Sequence, residues 1–207
     1  MKTIPLFCLM GALLVMFPAI SEAQANREAA KLTRDGAEAV KNKEWDRAVD
    51  LFRRAAQLDR RNAPSLSAAL QQRATAYGAQ QQYQKAIEDF SEALEITPDD
   101  QGIYERRAYA EMRLNDYDRA LADYNELIKR KANEARYYLL RSYIYEVKGD
   151  TAAAIADCDK VLQMQHDNAE AKARKQRMQT LQAQQAATQM PPGPISAPSQ
   201  SGPPKKP

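Results

Sequence analysis

The feature of this chain that most limits its fold is a recurrence. Ala48, Ala86, Ala120 and Ala154 follow one another at intervals of 38, 34 and 34 residues. Four residues beyond each stand Phe52, Phe90, Tyr124 and Cys158, and seven beyond stand Ala55, Ala93, Leu127 and Val161. A unit repeated in register buries its apolar face against its neighbours, so a stacked array is expected. Within one unit, Ser67 to Pro98 reads SAALQQRATAYGAQQQYQKAIEDFSEALEITP. Leu70, Ala74 and Tyr77 mark one helical face, and Ala86, Ile87, Phe90, Ala93 and Leu94 a second, at steps of three and four. Pro98 ends the second helix, because proline cannot continue one and disfavours helical angles at Thr97. No sustained alternation of period two occurs, so strands are not expected.

A 34-residue helix–turn–helix period with small, aromatic and small slots resembles the tetratricopeptide repeat family, over roughly residues 29–168. The resemblance implies an all-α, right-handed solenoid of about four helical hairpins. Its units fall at 26–62, 63–100, 101–134 and 135–168. The chain departs from the family pattern in places. The aromatic slot early in each first helix holds Leu32, Leu70, Tyr104 and Tyr138, with no Trp, and the small slot after it holds Gly36, Ala74, Ala108 and Ser142. Three residues on come Ala39, Tyr77, Glu111 and Tyr145. Four extra residues near Asn62 to Leu66 separate the first unit from the second, and the polar stretch Asp59 to Ser65, with Pro64, reads as a loop.

Expected helices in the first unit are Asn26 to Lys41 and Trp45 to Leu58, with Trp45 packed inward. Asn115 and Gly149 stand where the later hairpins turn, and both tolerate the left-handed conformation. Asp167 or Asn168 can cap a last helix, residues 169–188, with Ala171, Met178 and Leu181 on one side. Such a helix would cover the apolar face that the last unit leaves open. Residues 189–207, MPPGPISAPSQSGPPKKP preceded by Gln189, are too rich in Pro, Ser and Gly to bury a core and are expected to be a disordered tail.

Residues 1–25 have the layout of a secretory signal peptide: Lys2, an apolar run from Ile4 to Ile20, then cleavage after Ala23 or Ala25. The chain is therefore expected to be exported, periplasmic or secreted, without membrane insertion after cleavage; an uncleaved tether is the alternative. The resemblance to short exported repeat proteins suggests a bacterial envelope. Cys8 lies too early in the run for a lipid anchor, and Cys158, in an aromatic slot, reads as a buried, inert thiol.

Net charge is only +3, with both signs alternating along the helices, so a nucleic-acid partner is not expected. One histidine, His166, cannot supply a His/Cys metal cluster, and no phosphate-cradling or nucleophile-elbow stretch occurs. No catalytic residue, metal or cofactor is assigned. Arg73, Arg107 and Arg141 recur at 34 residues, in step with Asp89, Asp123 and Asp157. Matched acids point to an ion-pair ladder between packed helices rather than to a basic binding track.

In the tetratricopeptide family the first helices line a concave groove that holds a protein or peptide segment. Carried over by register, the resemblance implies partner-binding residues Arg34, Gln72, Arg106, Tyr109, Arg113, Arg136 and Tyr143. Arg and Tyr are common interface anchors. One family subset grips a C-terminal carboxylate with Lys and Asn; the matching places here hold Thr33, Ala37 and Gln72, with only Arg106 as a suitable cation, so that clamp is not implied. Lys129 and Arg130, on a second helix, are expected on the convex side. The function implied is a protein- or peptide-binding scaffold. The alternative is a structural subunit of an envelope assembly, and the oligomeric state stays open.

Overall fold

The computed structural model describes residues 21–189. Among them are nine α-helices and no strand. They form four antiparallel hairpins and a closing helix: α1 (Glu22–Lys41) with α2 (Trp45–Leu58), α3 (Ala63–Ala79) with α4 (Tyr83–Ile96), α5 (Gln101–Arg113) with α6 (Tyr117–Arg130), α7 (Ala135–Lys148) with α8 (Thr151–Met164), then α9 (Ala169–Gln189). Each helix packs on the next along the chain, which makes an all-α solenoid.

The recurring alanines explain the packing. Ala48, Ala86, Ala120 and Ala154 are fully buried, because a methyl group lets two helices approach closely. Phe52, Phe90, Tyr124 and Cys158 are buried one turn later. Burying a side chain such as Phe90 contributes about 1.5–3 kcal/mol. In the first hairpin the slot opposite Phe52 is Gly36, where a Cβ would come within 3.0 Å of the ring. Cys158 is buried, and desolvation pushes its thiol pKa up, which keeps it protonated and unreactive.

The structure differs from the sequence reading in four places. Helix α1 begins at Glu22, not Asn26, because the Ser21 side chain accepts from the Gln24 N–H and good helix formers follow. Its first buried side chain is Ala29, so the residues before Asn26 carry no core. Second, Asp59 to Ser65 is not a loop. A 3-10 turn at Arg60–Asn62 leads directly into α3, with Pro64 in the first turn, where a missing N–H costs nothing. The four extra residues are thus one added helical turn: α3 has 17 residues where α5 has 13. Third, Trp45 is half-buried rather than enclosed. Fourth, Leu181 is exposed, although Ala171 and Met178 are buried as read. The signal and tail assignments lie almost wholly outside the described residues.

Every hairpin turns through one left-handed residue. These are Lys43 (φ 58°), Gln81 (φ 60°), Asn115 (φ 60°) and Gly149 (φ 77°), all at the same place in their units. A residue with a Cβ pays roughly 1–2 kcal/mol there, partly offset in Gly by its greater unfolded entropy. Gln81 is exposed. Gln81→Gly is therefore expected to stabilise the protein by about 0.5–1 kcal/mol. A raised urea midpoint at unchanged slope would show it; a lowered one would refute it.

Helix α9 takes the place of a fifth first helix. Asn168 caps it, its Oδ1 accepting from the Ala171 N–H at 2.9 Å. Lys175 reaches back to Asp159 at 2.6 Å, across the same 16-residue spacing by which Arg107 meets Ser91 and Arg141 meets Asn125. The array stops here for a chemical reason. Where α7 has Tyr138, Ser142 and Tyr145, α9 has Lys172, Gln176 and Gln179, all exposed, so no apolar face asks for another helix.

Candidate functional site

The ladder seen in the sequence fixes how each first helix is rolled. Arg73 Nε and Nη2 each lie 2.8 Å from an Asp89 oxygen, and Arg107 with Asp123 and Arg141 with Asp157 repeat this fork at 2.7–2.9 Å. The three aspartates are buried. Such forks hold the arginines inside the packing and away from any partner.

With those sides pinned, the opposite sides of the first helices form a continuous inner row. Side-chain bonds run directly between successive first helices: Arg106 of α5 to Gln71 of α3, Arg136 of α7 to Glu105 of α5, and Arg177 of α9 to Glu146 of α7. Second helices bond to one another on the other side, as Arg53 of α2 does with Glu92 of α4. Five large apolar side chains are exposed among the described residues, and four lie in the inner row: Tyr109 (54%), Tyr143 (38%), Val147 (45%) and Leu181 (43%). Tyr109 and Tyr143 share one register column, Val147 and Leu181 another.

Between α3 and α5, over α4, the row opens into a groove of about 350 Å³. Small residues Ala74, Gly78, Ala79, Ala86 and Ala110 make room, and Tyr83, Phe90 and Tyr109 wall it. Arg106 lies over the Phe90 ring at 5.8 Å, and Arg113 lies over Tyr83 at 5.1 Å while donating to the Tyr109 hydroxyl at 3.1 Å. The residues implied by the family resemblance are therefore distributed over successive grooves. Arg106, Tyr109 and Arg113 come together here. Gln72 lines a separate cleft of about 290 Å³ between α1 and α3. Arg34 is exposed on α1. Arg136 is exposed but held by Glu105, and Tyr143 lies beneath the guanidinium of Arg174 at 5.6 Å. Sequence reasoning missed Gly78, Tyr83, Val147 and Leu181. The last two were findable, since each follows Arg113 by a multiple of the 34-residue step.

Two further arginines are held by the fold. Arg174, on the inner side of α9, is only 5% exposed; it donates to Glu146, Glu170, the Leu139 carbonyl and the Ser142 hydroxyl. Arg130 is not a free convex residue, since it pairs with Asp99 at 2.7 Å and lies over Tyr104 at 5.3 Å. Lys129 remains the exposed convex comparison.

Glu111 fills the slot that holds Tyr77 and Tyr145 in other hairpins. It is 2% exposed, its Oε2 has no hydrogen-bond partner, and it borders a cleft of about 240 Å³ with Ser91, Arg107, Arg119 and Asp123. Burial pushes its pKa up to about 8, with Asp123 adding and Arg107 opposing. Among the described residues no group of three or more His, Cys, Asp or Glu could hold a metal ion, and no helix is long and apolar enough to cross a membrane.

Residues 67–100 and 105–172 each match the tetratricopeptide repeat family. Among solved structures, a tetratricopeptide repeat protein from Parabacteroides merdae is 21% identical, with a TM-score of 0.58 over 76% of this chain and 61% of its own. The chain thus spans less than two thirds of that protein. YrrB, described as a tetratricopeptide repeat protein with an unusual peptide-binding site, is 16% identical, with a TM-score of 0.58 over 79% of this chain and 84% of its own. The first tetratricopeptide domain of Spaghetti, bound to an HSP90 peptide, is 21% identical, with a TM-score of 0.52 over 56% of this chain and 93% of its own. No curated protein matches the chain.

Proposed function

Because the chain belongs to the tetratricopeptide repeat family, we propose that it is a non-catalytic scaffold that receives a protein or peptide segment on its inner face. One observation carries the reading: four of the five exposed large apolar side chains among the described residues, Tyr109, Tyr143, Val147 and Leu181, line successive first helices, with Tyr109 beside Arg106 and Arg113. Exposed rings keep an apolar body and a polar tip at small entropic cost, which suits an interface more than a solvated surface. The Spaghetti domain, of like fold, holds a peptide. The scaffold acts outside the cytoplasm; that part of the proposal rests on the signal-like layout of residues 1–25, and N-terminal sequencing of the mature chain tests it.

The groove is tested with a partner captured by the purified chain and identified by mass spectrometry. Tyr109→Ala and Tyr143→Ala should each weaken its binding by about 1–2 kcal/mol, with thermal unfolding unchanged. Lys129→Ala should leave binding intact. Equal losses from all three substitutions would move the binding surface off the inner face.

A further inference from the structure

Ten arginines lie between residues 63 and 189. Eight of them have a carboxylate within ion-pair distance: Arg73, Arg107, Arg119, Arg130, Arg136, Arg141, Arg174 and Arg177. The two that pair with no acid are Arg106, which lines the groove between α3 and α5, and Arg113, which lies over its Tyr83 wall. Arg106 donates to the neutral Gln71 amide and Arg113 to the neutral Tyr109 hydroxyl. Asp100 caps α5 through the Gly102 N–H and accepts from the same Gln71 amide at 3.4 Å, so it meets Arg106 through Gln71 and not in an ion pair. Elsewhere in this stretch the guanidinium charges are neutralised within the fold; here two of them are held over aromatic rings and exposed.

We infer that this groove selects an acidic peptide segment in which an apolar side chain stands between two side-chain carboxylates. The inference rests on the reading of the inner face as the binding surface. Arg106 and Arg113 are seven residues apart on one helix, a rise of about 10 Å. An extended strand covers that distance in about three residues. Carboxylates at positions one and four of the segment therefore meet the two guanidiniums, and an intervening aliphatic side chain enters the space left by Gly78, Ala79 and Ala110 between the rings of Tyr83, Phe90 and Tyr109. Guanidinium forks favour carboxylates, and the ring faces that already hold them keep the cations oriented without neutralising them.

The test uses the purified chain and four fluorescein-labelled peptides in anisotropy titrations. GGELAEGG, GGQLAQGG and GGKLAKGG are amidated at the C-terminus; a fourth, GGQLAQ, ends in a free carboxylate. GGELAEGG should bind roughly tenfold more tightly than the glutamine peptide, with Arg106→Gln and Arg113→Gln each removing most of that difference. The preference should shrink as salt rises from 0.1 to 0.5 M. Equal binding of the acidic and glutamine peptides, tighter binding of the lysine peptide, or binding of the free-carboxylate peptide alone would each overturn the inference, as would binding by none. A random peptide-display selection separates this failure from that of the groove itself. Selected peptides without the acidic pattern that are lost on Tyr109→Ala would leave the groove standing and the acid preference refuted. Selected peptides indifferent to Tyr109→Ala would refute both.

Discussion

Between pH 5 and pH 9 the protein is expected to lose stability that a Glu111→Gln variant keeps. An unperturbed glutamate titrates near 4.5, whereas burial holds the folded Glu111 carboxyl at about 8. Its folded state therefore binds the proton more tightly than its unfolded state does. Below about pH 4.5 both states are protonated and there is no penalty. The penalty grows as the pH rises toward 8 and then levels off, at on the order of 3–5 kcal/mol. Asp123 and Asp116 reinforce the shift, while Arg107 and Arg119 oppose it. Arg107 cannot cancel it: its Nε is 3.9 Å from Glu111, and its fork is already committed to Asp123. Glutamine keeps the shape without an ionisable proton. Urea midpoints of the two proteins at pH 5, 7 and 9 should diverge steadily. A constant gap would show that the Glu111 carboxyl is solvated as readily in the folded chain as in the unfolded one.

Ending the chain after Asn168 should be as damaging, while ending it after Thr188 should be silent. Helix α9 closes the last apolar cluster, placing Ala171 against Ala135, Tyr138, Cys158 and Val161, and it fully buries Met178. Removing it also strips Glu146 of Arg174 and Arg177. The lost burial amounts to about 5 kcal/mol, counting both the deleted and the uncovered side chains. At about 2–4 °C per kcal/mol for a chain of this size, the melting temperature should fall by roughly 10–20 °C. Nearest-neighbour stacking means that the α7–α8 hairpin frays first. Residues 181–188 are all exposed, and the Pro-, Ser- and Gly-rich sequence beyond them is too poor in apolar residues to supply a core. Melting curves by circular dichroism decide the matter: equal midpoints for both truncations would show that α9 is not a cap.

The sequence by itself determined the array. A 34-residue step carried by Ala86, Ala120 and Ala154 is legible because helix period and helix length are local properties, and the alanines mark where two backbones must approach. The Arg–Asp ladder was legible for the same reason, since both partners recur in one register and each stays within its own hairpin. Only the tertiary structure decided what happens between hairpins and at the end of the stack. The added turn of α3 hides behind Pro64, which interrupts a helix in its middle and is welcome in its first turn, and sequence spacing does not say which turn it occupies. Leu181 is left outside and Arg174 taken in because burial on α9 depends on α7 and on the absence of a following helix among the described residues. That placement buries a guanidinium among Glu146, Glu170 and backbone oxygen and leaves a leucine outside. The groove beneath Tyr109 has the same origin. Gly78 and Ala110 lie far apart along the chain, and the space between them exists only once α3 and α5 stand side by side over α4.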